Sequence, residues 1–256
     1  MLSYICNLVG EFNFLFDVID EEYNFSNTIT KTFLFDKNNY NFNKKQVILR
    51  YSLIHEEIQE LRDAFNNSDI IETIDALCDI LYVVAGAKVY FNYKDDDVDY
   101  IMNSDTQRLN VYETKILFQN NFNDINKIII DMELECKKLN DITDLIINND
   151  CDNEIILNYN KYLDIIIKYV FDISFLLNIN IIKFFDIVHK SNMSKICLSE
   201  NEAIKTIENY LEDIQKRYKT PSYRKKCLKN KDYYIIYDEK TTKILKNMNY
   251  TSVYFI

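Results

Sequence analysis

The sequence predicts an all-α protein, an antiparallel helical bundle with a small β-hairpin near its C-terminus. Three observations carry that expectation. Glycine occurs only at Gly10 and Gly86 and proline only at Pro221, too few for the turns of a β-rich fold. Long stretches place apolar residues at the three-and-four spacing of one helical face. Apolar types make up 48% of the 256 residues, which suffices for a sizeable core. The glycine count also excludes a Gly-rich phosphate loop, so phosphate handling would fall to metal ions and cationic side chains.

The elements follow in order. Met1 to Val18 is strongly apolar and helix-compatible, and Asp20 to Lys45 is Asn-rich and aperiodic, a loop with a short extended piece. Val47 to Phe65 has helical spacing, Asn66-Asn67-Ser68-Asp69 is a turn signal, and Ile70 to about Tyr93 is a second helix. Together they predict an antiparallel helical hairpin. Asp95-Asp96-Asp97 opens a polar stretch to about Asn160, with amphipathic pieces at Val111 to Phe118 and Ile125 to Leu139. It reads as a mostly helical insertion without recognisable chemistry. Tyr162 to Val188 reads as one long apolar helix; Lys168, Asp172, Asn178, Asn180, Lys183 and Asp186 keep it out of a bilayer. A further helix runs from Glu200 to Arg217. Residues 216–231 are basic, for the most part a solvated face, and alternation around Asp238 to Thr242 suggests the β-hairpin. The expected organisation is one domain over 1–256, with an inserted segment at about 94–160 and a C-terminal extension at about 196–256.

The net charge of −10 argues against a protein that coats nucleic acid. Six scattered cysteines and two histidines offer no zinc-ligand spacing and read as free thiols of a reducing, cytoplasmic compartment. Met1 to Gly10 lacks a basic leader and a cleavage site, and no membrane partner is expected.

The first helix of the hairpin holds His55-Glu56-Glu57-Ile58-Gln59-Glu60, and the second holds Glu72, Asp75 and Asp79. On a wheel of roughly 100° per residue with Glu56 at zero, Glu60 falls near 40° and Glu57 near 100°. Glu57 thus points into the apolar stripe between Leu53 and Leu61, whereas Gln59, Arg62 and Asn66 take the outer face and His55 turns to the surface. Glu72, Asp75 and Asp79 share an arc of roughly 60° on an otherwise apolar helix. Carboxylates aimed at a core are costly unless a cation compensates them. Two facing acidic stripes therefore point to magnesium, with manganese as a possible substitute. A lone Glu-Glu-x-x-Glu is more often a solvated face. Glu72 has a rival role as well, since Asp69 and Glu72 have capping-box spacing.

These residues, from Leu49 through Glu60 and from Asp69 to Gly86, resemble the MazG-like and phosphoribosyl-ATP-pyrophosphohydrolase-like superfamily of all-α nucleoside triphosphate pyrophosphohydrolases. The family pattern is Glu-Glu-x-x-Glu followed by Glu-x-x-Asp, and the spacing is that of compact viral and phage-type members. Val188-His189-Lys190-Ser191-Asn192-Met193-Ser194-Lys195 is similar to a stretch after their last bundle helix, and Lys243 to Tyr250 to their tail, with Thr242 where glycine is usual. The resemblance covers roughly 1–16, 47–93 and 162–256 and leaves 94–160 without a counterpart. It implies that Glu57, Glu60, Glu72 and Asp75 bind magnesium, with Asp79 an additional ligand or a support to one. Glu56 would be a ligand or a water-orienting base, Asn192 and Lys195 would contact the nucleotide, and Arg50 would screen phosphate charge. The implied reaction yields a nucleoside monophosphate and pyrophosphate from a nucleoside triphosphate, dUTP being favoured by analogy. Phosphoribosyl-ATP hydrolysis and an inactive helical interaction protein are the alternatives. The family's habit implies a homodimer or other homo-oligomer, although the insertion offers a way for one chain to complete its own bundle.

Overall fold

The structure is a computed structural model that describes residues 1–16, 44–91, 109–148, 153–213, 218–241 and 243–255. The loop expected over most of 20–45 and the acidic run Asp95-Asp96-Asp97 lie outside the described residues. The chain divides into two compact units: Met1–Cys6 with the described part of Phe25–Asp186 and Phe255, and the described part of Asn7–Asn24 with Ile187–Tyr254.

In the larger unit, α2 (Lys44–Asn66) and α3 (Ile70–Tyr90) form the expected hairpin. Its turn is built from backbone geometry that the sequence marks only in part. Ser68 takes a left-handed φ of 54°, Ser68 N–H donates to the Phe65 carbonyl, and Asp69 N–H donates to the Ala64 carbonyl. That pair of bonds closes the C-terminal carbonyls of α2. The Asp69 side chain then caps α3 by accepting from Ile71 N and Glu72 N, both at 3.1 Å.

The insertion contributes α4 (Val111–Asn120), α5 (Phe122–Ile147) and the start of α6 (Asn153–Leu176). α2, α3, α6 and α5 pack in a closed ring, each against its two neighbours, so one chain forms a complete four-helix bundle. The bundle core draws Ile54, Ile58 and Leu61 from α2, Ile74, Leu77 and Leu81 from α3, Ile129 and Met132 from α5, and Leu163, Ile167 and Val170 from α6, all buried. Each such side chain contributes about 1.5–3 kcal/mol of transfer free energy. α4 lies against α3 and α5, and its Phe118 meets Phe65 with ring centroids 5.2 Å apart. Arg62 departs from the expected outer position. It reaches α5, where Nε donates to Glu133 Oε1 at 2.8 Å, Nη2 to Glu133 Oε2 at 3.0 Å and Nη1 to Asn126 Oδ1 at 2.7 Å.

The long helix expected over Tyr162 to Val188 is two helices, because α6 stops at Leu176 and α7 runs over Ile181–Met193. Asn178 adopts φ 52°, its N–H donates to Phe175, and Ile179 N–H donates to Ser174. Asparagine tolerates the left-handed region, and that single residue ends a helix whose hydropathy would carry it on. Among the described residues no single helix is long and apolar enough to cross a membrane.

The smaller unit holds the larger part of α1 (Leu2–Leu15), the end of α7, α8 (Glu200–Glu212) and an antiparallel pair, β1 (Pro221–Leu228) and β2 (Lys231–Asp238). The hairpin turn is Lys229-Asn230, with φ of 49° and 61°, the two left-handed residues of a tight type I′ turn. The hairpin therefore sits one strand earlier than the alternation around Asp238 to Thr242 suggests. That later bend returns the chain only for a single bridge, Tyr237 to Ile244. β1 is drawn from the basic cluster; Lys225, Lys229 and Lys231 are exposed, as expected of a solvated face, while Arg224 and Lys226 are half-buried. Lys225 pairs with Asp232 at 2.7 Å, Arg224 donates to the Phe16 carbonyl at 3.2 Å, and Lys226 lies 4.7 Å from the Phe14 ring centroid. Leu228 and Ile235 pack with Leu15, Phe16 and Ile196, while Ile236 packs with Cys197, Ala203 and Leu245. Cys6, Cys78, Cys136 and Cys197 are buried free thiols, and Cys227 is an exposed one.

Candidate active site

The site grows from the paired α2–α3 helices. On α2, Glu56 and Glu60 are exposed and Glu57 is half-buried; on α3, Glu72 is exposed and Asp75 and Asp79 are half-buried. Helical spacing explains the split, since Ile58 and Leu61 flank Glu57 in the core while Glu56 and Glu60 stand at the edge. The six carboxylates share one electrostatic field. Burial, then Asp79, Glu60, Glu56 and Asp75, push the Glu57 carboxyl up to about 8. Burial, then Glu72 and Glu60, push Asp75 up to about 6. Every charge acting on these two groups is acidic, a field that favours a bound cation. Cys78, fully buried between Asp75 and Asp79 in sequence, is also raised, by burial and then by both of them.

Asp75 Oδ1 is buried without a hydrogen-bond partner. A carboxylate oxygen left so would cost about 1–3 kcal/mol or more, which a bound hard cation removes. Among the described residues, no three His, Cys, Asp or Glu side chains close into a ligand set. The carboxylates are neighbours in charge without converging on one point. The donor set, all carboxylate oxygen and one of them orphaned, fits magnesium or manganese and not zinc. Glu72 has no part in the cap of its helix, because the Asp69 N–H it would accept is given to Ala64. The capping-box alternative for Glu72 falls, and its carboxylate acts on Asp75 instead.

The remaining sequence-predicted residues lie elsewhere. Arg50, two turns before Glu57 on α2, is only 5% exposed and is not among the charges acting on Glu57 or Asp75. Asn192 and Lys195 belong to the smaller unit, where Lys195 Nζ donates to Asn192 Oδ1 at 2.6 Å. Beside them Ser191 Oγ donates to the Tyr250 hydroxyl at 3.1 Å, and Thr251 N–H donates to Ser194 Oγ at 3.0 Å. The C-terminal tail thus shapes the Ser191 to Lys195 segment, a pairing that no helical periodicity reveals.

Residues 26–101, which take in α2 and α3, match the family model described as phosphoribosyl-ATP pyrophosphohydrolase. The uncharacterised protein L479 of Acanthamoeba polyphaga mimivirus is 31% identical over 258 residues, covering 93% of this chain and 89% of that protein. An alignment that long runs through the insertion as well as the hairpin. No solved structure matches.

Proposed function

Starting from the membership of this chain in the MazG-like all-α nucleoside triphosphate pyrophosphohydrolase superfamily, we propose that it is a magnesium-dependent enzyme that splits a nucleoside triphosphate into the monophosphate and pyrophosphate. The observation that carries this reading is the pair Glu57 and Asp75, half-buried, surrounded by acids and raised to about 8 and about 6. Glu57, Glu60, Glu72 and Asp75 would hold the metal, with Asp79 beside Glu57. The bound ion would supply charge neutralisation at the phosphates and acidify a water. Glu56 is exposed at the rim and is the carboxylate free to orient a water and take its proton. Ile58 and Leu61 exclude solvent behind Glu57 and hold it against α3. The protein works on free nucleotides, with no nucleic-acid or membrane partner.

Pyrophosphate release from a panel of nucleoside triphosphates, dUTP first, tests the reading. Glu57→Gln and Asp75→Asn should each lower magnesium-dependent turnover at least about a hundredfold while leaving the helical circular dichroism intact. Near-normal turnover in both variants would sink it. The family match favours one second reading, hydrolysis of phosphoribosyl-ATP, which turnover of that compound beside dUTP separates.

A further inference from the structure

Two cations are buried in the four-helix bundle, and the fold treats them differently. Lys88 is fully buried and satisfied, with Nζ 2.7 Å from Asp164 Oδ1 and donating to Asn160 Oδ1 at 2.6 Å. Arg50, 5% exposed, has no carboxylate partner among the described residues. Its Nη2 makes one long bond, 3.4 Å to Gln46 Oε1, and its Nε is buried with none. Burial lowers its pKa, and the titratable groups acting on it are the phenols of Tyr159 and Tyr90. Tyr159, from α6, is fully buried and its hydroxyl is likewise unpartnered. The polar group beside it is the Thr143 hydroxyl, which donates to the Leu139 carbonyl at 2.8 Å and keeps its acceptor side towards the phenol.

An arginine is almost never fully buried unless paired, and a buried charge without its partner is strongly destabilising. Guanidinium offers only donors, in a fork that matches an oxyanion, and the phenol adds a further donor. Half-buried Gln46 and Tyr90 flank this point on α2 and α3. We propose that Arg50 and Tyr159 form a second anion subsite inside the bundle, which takes a phosphate-type oxyanion. It lies on the same stripe of α2 as Glu57, about 10 Å along the helix. The oxyanion could be the polyphosphate of a bound nucleotide or free pyrophosphate. The proposal goes beyond the metal-site reading and does not rest on it, since binding here needs no carboxylate.

Calorimetric titration of the full chain with pyrophosphate in EDTA tests it, because without metal the carboxylate cluster repels the ligand. The wild type should bind one pyrophosphate, Arg50→Met should weaken it at least about tenfold, and Tyr159→Phe a few-fold. Arg50→Lys, which keeps charge but loses the fork, should fall between. Without ligand, Arg50→Met should melt no lower than the wild type, since it removes an uncompensated charge. Binding in EDTA needs no metal, so failure of the metal site and failure of this subsite are read separately. Competition with a non-hydrolysable nucleoside triphosphate and magnesium identifies the source: displacement of pyrophosphate assigns the subsite to the substrate, and joint binding assigns it to free pyrophosphate. No binding by the wild type, or equal binding by folded Arg50→Met and Arg50→Lys, overturns the proposal.

Discussion

The two halves of the bundle treat their acids in opposite ways. On α5 and α6, Glu133 is clasped by Arg62, Glu135 by Lys138 at 2.7 Å, Asp164 by Lys88 and Asp172 by Lys168 at 2.5 Å. On α2 and α3, Glu57 and Asp75 face only other acids. The cations responsible come partly from the acidic half itself. Arg62 stands on α2 and Lys88 on α3, yet both give their charge to α5 and α6. The half that carries the site thus leaves Glu57 and Asp75 among like charges, and the other half pairs the acids named above with cations. That is the division expected when one pair of helices is to attract a cation and the other is to hold it in place.

The sharpest way to break this contrast is at Lys88. Lys88→Ala leaves Asn160 and Asp164 without their cation and opens a cavity; urea denaturation should register a loss of about 2–4 kcal/mol. A smaller value would mean that Asp164, partly open to water, accounts for its own charge.

Next in size is the pH response of the metal-free protein. Glu57 titrates near 4.5 when unfolded and at about 8 in the fold, so between those values the folded state holds the proton more tightly. The Glu57 contribution is therefore complete below about 4.5 and is lost as pH rises to about 8, while the smaller Asp75 contribution is lost earlier, between about 3.8 and about 6. In EDTA the melting temperature should fall by several degrees from pH 5 to pH 8, and Glu57→Gln should remove most of that fall. Magnesium affinity should climb over the same range, since the ligands must lose protons. A flat melting profile in EDTA would contradict the raised carboxyls.

The smallest effect sharpens the contrast most directly. Glu133→Gln makes the same chemical change on α5 but weakens a two-pronged clasp to Arg62, and should cost about 1 kcal/mol. Opposite signs for Glu133→Gln and Glu57→Gln at pH 8 are the signature of the division between the halves.

Much of the bundle was legible in the sequence because apolar spacing dictates it. The α2–α3 hairpin came out within a few residues at each end, and the inward aim of Glu57 followed from the wheel alone. Arg50 falls in the same apolar arc, so its burial was readable there too, although its isolation was not. The break at Asn178 was hidden because hydropathy continues across it, and a single left-handed residue leaves little trace in composition. The placement of Arg62 against Glu133 could not be read, since it depends on which helix becomes the neighbour of α2. The hairpin turn at Lys229-Asn230 was masked by the surrounding lysines, which look like a solvated face until their partners Phe14, Phe16 and Asp232 are in place.

The ring of α2, α3, α5 and α6 is closed within one chain, which sets how it behaves on dilution. Between two chains, the second pair of helices would be present only at the concentration of the protein. Here it is covalently joined to the first pair, so its local concentration does not fall with that of the protein. The helices that wall in Glu57 and Asp75 accordingly stay in place however scarce the protein becomes.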